Sequence, residues 1–155
     1  MPLNRNINDA HPILQDAWFW AKREFERWHQ GATLFLNETH RPLAIQRAYY
    51  AQGRKSLKEI NDLRTKADLA PIGADEAKKI VTKLVPGKSK HGIKPSCAID
   101  IFVMVGGKIS NDDKLYKALA DIIRDRQPSV VWGGDWDSDG RSDDERFIDM
   151  PHFEI

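Results

Sequence analysis

Apolar side chains recur every three or four residues along two stretches of the chain, and this spacing predicts two amphipathic helices. The first covers residues 12–29, where Leu14, Ala17, Trp18, Ala21, Phe25 and Trp28 share one face. The second covers residues 111–126. We expect Asn8 or Asp9 to cap the first helix and Ser110 to cap the second, because these side chains accept hydrogen bonds from the first backbone N–H groups of a helix.

Shorter apolar runs predict a small sheet. The strongest is residues 97–105, which are almost entirely apolar, so we expect both faces of this strand to be covered. Gly106-Gly107 then predicts a hairpin with a return strand at 108–109. Further strands are expected at 32–36, 130–132 and 150–155, and further helices at 42–52 and 56–69. This order predicts a compact α+β single domain over residues 1–155, a small antiparallel sheet flanked by helices.

Composition narrows the class of protein. Hydrophobic residues make up 41% of the chain and charged residues 30%, as in ordinary globular domains. The single cysteine, Cys97, excludes an internal disulfide framework and a cysteine-rich zinc module. No apolar run reaches the ~20 residues of a membrane helix, and the N-terminus lacks the apolar core of a signal peptide. We therefore expect no stable membrane insertion, and we separately expect a monomer.

An acidic segment interrupts an otherwise basic chain. Residues 135–145 hold six acids and one arginine, and packed carboxylates repel one another unless a cation lies among them. Its spacing follows the start of an EF-hand calcium loop, with acids at Asp135, Asp137, Asp139 and Asp143 and the turn glycine at Gly140. Arg146 stands where the closing acid belongs. A calcium loop and a merely solvated acidic loop both remain open.

Asp100 is an anomaly because it lies in the middle of the most apolar strand. A buried carboxylate is costly unless it is paired or binds a metal, so a structural ion pair is one interpretation. His91 precedes it in a loop and His152 follows near the C-terminus. Two histidines and one aspartate form a three-ligand set that leaves a coordination position open, the arrangement of a catalytic zinc site, which we expect to lie on the sheet.

Four strings in order resemble one family of zinc peptidases. They are Ser89-Lys90-His91, Ala98-Ile99-Asp100, residues 132–136 (W-G-G-D-W) and residues 149–153 (D-M-P-H-F). The family comprises D-Ala-D-Ala carboxypeptidases, dipeptidases and L-alanyl-D-glutamate endopeptidases, and the chain is most similar to the phage endolysins of the endopeptidase branch. Two departures occur: nine positions rather than seven separate His91 from Asp100, and Ser96 replaces a family glycine.

The resemblance implies a role for each motif residue. His91, Asp100 and His152 correspond to the zinc ligands, and Asp149 to the carboxylate that accepts a proton from the attacking water. Arg41, with Gln46 downstream, corresponds to an arginine that holds the substrate carbonyl or carboxylate. From the residues alone, Asp135 and Glu154 are alternative bases, although Glu154 suits the orientation of a ligand imidazole better. Candidate substrate-binding residues are Ser89, Gln46, Trp132 and Trp136, and either tryptophan could instead belong to the core.

The implied function is that of a zinc-dependent peptidoglycan hydrolase that cuts the L-Ala–D-Glu bond of the stem peptide during host cell lysis. The expected location is the host cytoplasm, with access to the wall once the inner membrane is permeabilised. Calcium would switch activity on by ordering the segment before Asp149. The alternatives are a D-Ala-D-Ala carboxypeptidase and a non-catalytic calcium-dependent wall-binding module. A nuclease is disfavoured, and no nucleic-acid partner is expected, because basic and aromatic residues are not interleaved as in a nucleic-acid groove.

Overall fold

Five α-helices and five short strands make up the described part of the chain, residues 3–145 and 147–155 of a computed structural model. The helices are α1 (Pro12–Trp28), α2 (Leu43–Ala51), α3 (Leu57–Lys66), α4 (Ala74–Ala77) and α5 (Asp113–Arg126). The strands are β1 (Ala32–Glu38), β2 (Ala98–Val105), β3 (Lys108–Ile109), β4 (Val131–Trp132) and β5 (His152–Glu154). None of the helices described is long and apolar enough to cross a membrane.

The sheet is antiparallel throughout, in the order β1-β2-β5-β4, with β3 paired to the far end of β2. Helices α1 and α5 pack against each other and cover one face. Buried residues of that core include Leu14, Phe25, Ile99, Ile101, Val103, Leu119, Ile123 and Phe153. The predicted α+β class and the small antiparallel sheet flanked by helices are confirmed.

Strand β2 is fully buried along one face and only partly along the other, which corrects the expectation that both faces are covered. Ile99, Ile101 and Val103 are fully buried, whereas on the opposite face Ala98 is buried and Phe102 and Met104 are only half-buried. No helix of the main core covers that second face, because α1 and α5 both lie on the first. The open face carries Asp100, so the sheet leaves its carboxylate accessible from one side.

A β-bulge changes the direction of the last residue of β1. The register between β1 and β2 shifts between Leu36 and Glu38, so that Glu38 pairs with Asp100 while Leu36 pairs with Ile101. Directly opposed residues of an antiparallel pair point to the same face. The bulge therefore turns Glu38 away from the core and onto the face that carries Asp100.

The caps of the two amphipathic helices differ from those expected. His11, rather than Asn8 or Asp9, caps α1: its Nδ1 accepts from the Ile13 N–H at 3.2 Å, while residues 7–9 form a preceding 3-10 turn. Helix α5 is capped by Asp112. Ser110 instead accepts from the backbone N–H of Asp112, which moves the start of the helix two residues further along the chain.

A second, small core holds α2, α3 and α4 together. Ile60 is fully buried between Ala51 and Ala77, with Leu63 and Ile72 packed around them. A reciprocal capping box between Ser56 and Glu59 begins α3, as the polar character of this segment allows. Helix α4 was not expected from the sequence, because a single turn offers no apolar periodicity to detect.

Gly133 allows the close approach of the chain segment that precedes β5. A Cβ atom at this position would lie 2.1 Å from the carbonyl oxygen of Asp149 and 3.1 Å from the Cβ of His152. We expect Gly133→Ala to cost about 1–3 kcal/mol of unfolding free energy, as forced overpacking does. Urea denaturation would measure it. Gly73→Ala is the control, because Gly73 meets no atom within 4 Å and its φ is −83°; equal losses in the two variants would contradict the explanation.

Candidate metal centre and cleft

Strand register brings two of the predicted zinc ligands together. Asp100 of β2 pairs with His152 of β5, and the His152 Nδ1 lies 3.2 Å from the Asp100 Oδ1. His91 comes from the 3-10 turn Lys90–Gly92, and its Nε2 lies 3.3 Å from the same oxygen. One ligand atom from each of the three residues falls within 4.8 Å of the others. The structure therefore assembles a His-Asp-His cluster that could hold a metal ion.

The orientation of His91 leaves one ring nitrogen without a hydrogen bond. Its Nδ1 lies 2.6 Å from the carbonyl oxygen of Thr39, so Nδ1 carries the proton and Nε2 presents a lone pair. That Nε2 is buried and has no hydrogen-bond partner among the described residues, since its contact with Asp100 lacks hydrogen-bonding geometry. An unpaired buried acceptor is costly, and a cation in the cluster would satisfy it.

His152 is held by a carboxylate on each side. Its Nδ1 faces Asp100, and its Nε2 lies 2.8 Å from the Glu154 Oε2. Burial alone lowers the pKa of His152, but the hydrogen bonds with Asp100 and Glu154 outweigh burial and raise this pKa to about 9. Glu154 thus occupies the position required to orient a ligand imidazole, with Nδ1 directed into the cluster.

Asp149 lies beside the cluster, in the turn that leads into β5. The backbone N–H of His152 donates to the Asp149 carbonyl oxygen at 3.1 Å, and the Asp149 N–H donates to Gly133 at 2.8 Å. Burial and the nearby Asp100 carboxylate raise the pKa of the Asp149 side chain. A carboxylate with a raised pKa accepts a proton more readily than an ordinary aspartate.

The cluster opens into a cleft of about 720 Å³. Asp149, the three cluster residues and Trp136 line this cleft. Residues from the segment 41–90 line it as well, and they include Tyr49, Arg64, Ile72, Val81, Lys83, Leu84 and Lys88. A cleft of this size accommodates several residues of a peptide.

Arg41 is fixed by a buried network. Its Nε donates to the Glu38 Oε1 at 2.8 Å, its Nη2 donates to the second oxygen of the same carboxylate, and its Nη1 donates to the Gln46 Oε1 at 2.8 Å. Gln46 in turn donates to the Leu84 carbonyl oxygen at 2.8 Å. Nη1 and Nη2 each carry two hydrogens and use only one of them in these bonds. Arg41 can therefore still donate a hydrogen bond into the cleft that it lines.

The remaining predicted substrate-binding residues occupy different places. Ser89 lines the cleft and accepts from the His91 N–H at 3.3 Å, and Trp136 lines it beside His152, with ring centroids 5.4 Å apart. Trp132 is 3% exposed and donates to the Met150 carbonyl oxygen, so it lies in the core. Gln46 is 2% exposed and lies behind Arg41.

The acidic loop comes together in part. Ligand oxygens of Asp135, Asp137 and Asp139 lie within 4.8 Å of one another, whereas Asp143 is paired with Arg141 at 3.2 Å. Asp135 is buried and paired with Arg124 at 3.0 Å. Burial raises the pKa of Asp135, but the charge and hydrogen bond of Arg124, together with the backbone N–H groups of Gly140 and Asp139, hold this pKa below its ordinary value. Asp135 does not appear among the cleft-lining residues of the described chain, and Arg146 lies outside the described residues.

Three residues that support the cluster had no motif to identify them. Glu38 reaches the site through the β-bulge, and Thr39 contributes only a backbone carbonyl. The Ser96 hydroxyl lies 3.1 Å from that same carbonyl and 2.6 Å from the Ala98 carbonyl oxygen. Ser96, which stands where the resemblance leads us to expect a glycine, therefore makes a polar contact behind His91, and of the three residues it alone had a sequence signal, this difference from the expected motif.

Comparison with known proteins agrees with this geometry. The model of the family of phage L-alanyl-D-glutamate peptidases matches residues 72–155, which include His91, Asp100, Asp149 and His152. The crystal structure of the L-Ala D-Glu endopeptidase ChiX from Serratia marcescens has a similar fold, with a TM-score of 0.50 at 19% identity over 97% of this chain and 83% of that one. No curated protein matches the chain.

The family match identifies the chain as a peptidase. Because the family model covers more than half of its length, the chain belongs to the phage L-alanyl-D-glutamate peptidase family.

The buried pair of Glu38 and Arg41 provides a test of this site's architecture. The side chains are 4% and 14% exposed, so Glu38→Gln would leave a buried guanidinium without its counter-charge. We expect a loss of about 3–5 kcal/mol of unfolding free energy, measured by denaturant titration. The double variant Glu38→Gln, Arg41→Gln should lose clearly less than the sum of the two single losses. Additive losses would show that the two side chains are not coupled.

Proposed function

We propose that this protein is a zinc-dependent L-alanyl-D-glutamate endopeptidase that cuts the stem peptide of peptidoglycan and acts as a phage endolysin. The observation that carries the proposal is the unpaired, buried Nε2 of His91 directed at Asp100, within a cluster completed by His152. Family membership supports the bond that is cut and the phage origin. We further propose that residues 1–155 act as one domain and as a monomer.

The donor set fits zinc. Two imidazole nitrogens and one carboxylate oxygen are ligands that zinc accepts, and three protein ligands leave a position open. His91 and His152 each use their other ring nitrogen for an oriented hydrogen bond, to Thr39 and to Glu154. When bound, zinc would polarise the scissile carbonyl and lower the pKa of a water molecule.

The protein's own groups then have separate tasks. Asp149 accepts a proton from the attacking water and later delivers it to the amine of the departing D-glutamate, for which its raised pKa is suited. Arg41 donates from its uncommitted N–H groups to the carbonyl oxygen as negative charge develops there. Glu38 and Gln46 hold the guanidinium in place and so reduce the reorganisation that this step requires.

Replacement of the proton acceptor tests the mechanism. Asp149→Asn keeps the size of the side chain but removes its basicity, so kcat on purified muropeptides should fall by about 10²–10⁴-fold. Mass spectrometry of the digestion products gives the rate and the bond cut, with D-glutamate as the new N-terminal residue. Zinc content, measured by atomic absorption, should stay unchanged.

Controls separate the alternatives. Asp125→Asn, an exposed carboxylate on α5, should leave the rate unchanged. Chelation should abolish cleavage, and added zinc should restore it. Release of terminal D-Ala would instead indicate a D-Ala-D-Ala carboxypeptidase on the same scaffold. Full activity of Asp149→Asn, or the absence of zinc from the active protein, would contradict the mechanism.

Calcium stays a separate prediction. We propose that Asp135, Asp137 and Asp139 bind calcium and that binding activates the enzyme by ordering the chain before Asp149. The closeness of their carboxylates supports this, since a cation would relieve their mutual repulsion. Titration calorimetry should detect calcium binding that Asp137→Asn weakens and Asp143→Asn, whose partner is Arg141, affects less. Equal activity of the zinc-loaded enzyme with and without calcium would refute the switch.

A further inference from the structure

The cleft is lined by more cations than acids. Five cations line it, which are Arg41, Arg64, Lys83, Lys88 and Lys90. The acids among its described lining residues are Glu76, Asp100, Asp149 and Glu154. Cations without a partner in the protein would favour a substrate that carries negative charge.

Three of these cations form no ion pair with a carboxylate of the described chain. Ion pairs within the protein engage Arg41 with Glu38 and Lys90 with Glu154, at 3.6 Å for the latter. Glu76 is paired with Lys79 at 2.8 Å, and its pKa is lowered mainly by Lys79 and less by the charge of Arg64. The three that remain, Arg64, Lys83 and Lys88, are defined here as the cationic wall.

The contacts of the cationic wall leave hydrogen-bond donors available to a ligand. Arg64 donates from its Nε to the Ala70 carbonyl oxygen at 2.5 Å, and its two terminal nitrogens make no hydrogen bond to the described chain. Lys83 lies over the ring of Phe147, another cleft-lining residue, 5.2 Å from its centroid. A guanidinium with two unengaged terminal nitrogens matches a carboxylate in geometry as well as in charge.

We propose that the cationic wall is a carboxylate-binding site, and that the enzyme reads a free carboxylate of the stem peptide next to the scissile bond. This inference rests on the proposed function. A glutamate within a chain has two carboxyl groups and continues the chain through one of them. The other remains charged unless it is amidated. In this proposal the scissile bond lies at the His-Asp-His cluster, and the second carboxylate is bound by Arg64, Lys83 and Lys88.

A matched set of peptides tests the proposal. L-Ala-D-isoglutamyl tetrapeptides are compared with their D-isoglutaminyl counterparts, in which an amide replaces the free carboxylate. We expect kcat/KM to be roughly tenfold higher for the carboxylate form, mainly because KM is lower. This is the effect expected from losing two or three ion pairs that are partly exposed to solvent. The preference should shrink with added salt because these charges are accessible to solvent.

Variants locate the effect. Arg64→Ala and the triple variant Arg64→Ala, Lys83→Ala, Lys88→Ala should lower cleavage of the carboxylate form and leave the amide form nearly unchanged, so the preference disappears. Lys66→Ala is the control, because Lys66 lies exposed on the same helix and outside the cleft lining. A preference of the wild type that survives in the triple variant would overturn the proposal, as would equal kcat/KM for both peptides.

Two further experiments show which residue supplies the bound carboxylate and whether the preference requires cleavage. Peptides with diaminopimelate after the glutamate are compared with peptides that carry lysine there, because diaminopimelate has an extra carboxylate and lysine has none. A preference that depends only on this residue overturns the assignment to the carboxylate of glutamate. Calorimetric binding of the uncut peptides to Asp149→Asn reports the preference without turnover. Cleavage of neither peptide would refute the proposed function, while a binding preference for the carboxylate form would still support the wall.

Discussion

The site depends on one carboxylate held between two imidazoles. Asp100 is placed by the central strand, opposite His152, and His91 is brought to it by a turn whose ring nitrogen is fixed on the carbonyl oxygen of Thr39. A carboxylate in this position would be costly if it stood alone, and burial does push its pKa upward. The neighbouring imidazoles reverse that effect and keep the pKa of Asp100 well below its ordinary range. The charged form is therefore the one that the fold maintains for a cation.

The support behind this cluster is mostly backbone and bulge geometry. A single carbonyl oxygen, that of Thr39, meets both the His91 ring and the Ser96 hydroxyl. The next residue back, Glu38, is turned to the same face by the bulge and clamps Arg41. The end of one edge strand thus positions a histidine and an arginine at once. The Thr39 carbonyl oxygen fixes His91, and strand pairing fixes Asp100. Because both ends of the loop between them are held independently, the length of this loop does not determine how close the two residues lie.

Sequence patterns predicted the elements that have a strong period or a strong motif. The amphipathic helices α1 and α5 and the central strand follow from the spacing of apolar residues, because spacing determines which side chains share a face. The His-Asp-His set followed instead from the ligand chemistry of its residues and from the resemblance of the motifs to those of zinc peptidases. The parts that could not be predicted depend on three-dimensional context. The bulge at Glu38 leaves no mark in the alternation of β1, and helix α4 is too short to be periodic. Trp132 and Trp136 also could not be told apart from the sequence, because they lie four residues apart in the same motif. In the structure Trp132 lies in the core, whereas Trp136 lines the cleft.

The small core of Ala51, Ile60 and Ala77 has a consequence for how such enzymes diversify. It holds the helical layer that carries Arg64, and it is separate from the core beneath the sheet that positions Asp100 and His152. Distant sites with no shared partners respond to substitution nearly independently. Substitutions in the helical layer can therefore accumulate while His91, Asp100 and His152 keep their positions. One part of the cleft lining can thus diverge between related proteins without disturbing the His-Asp-His cluster.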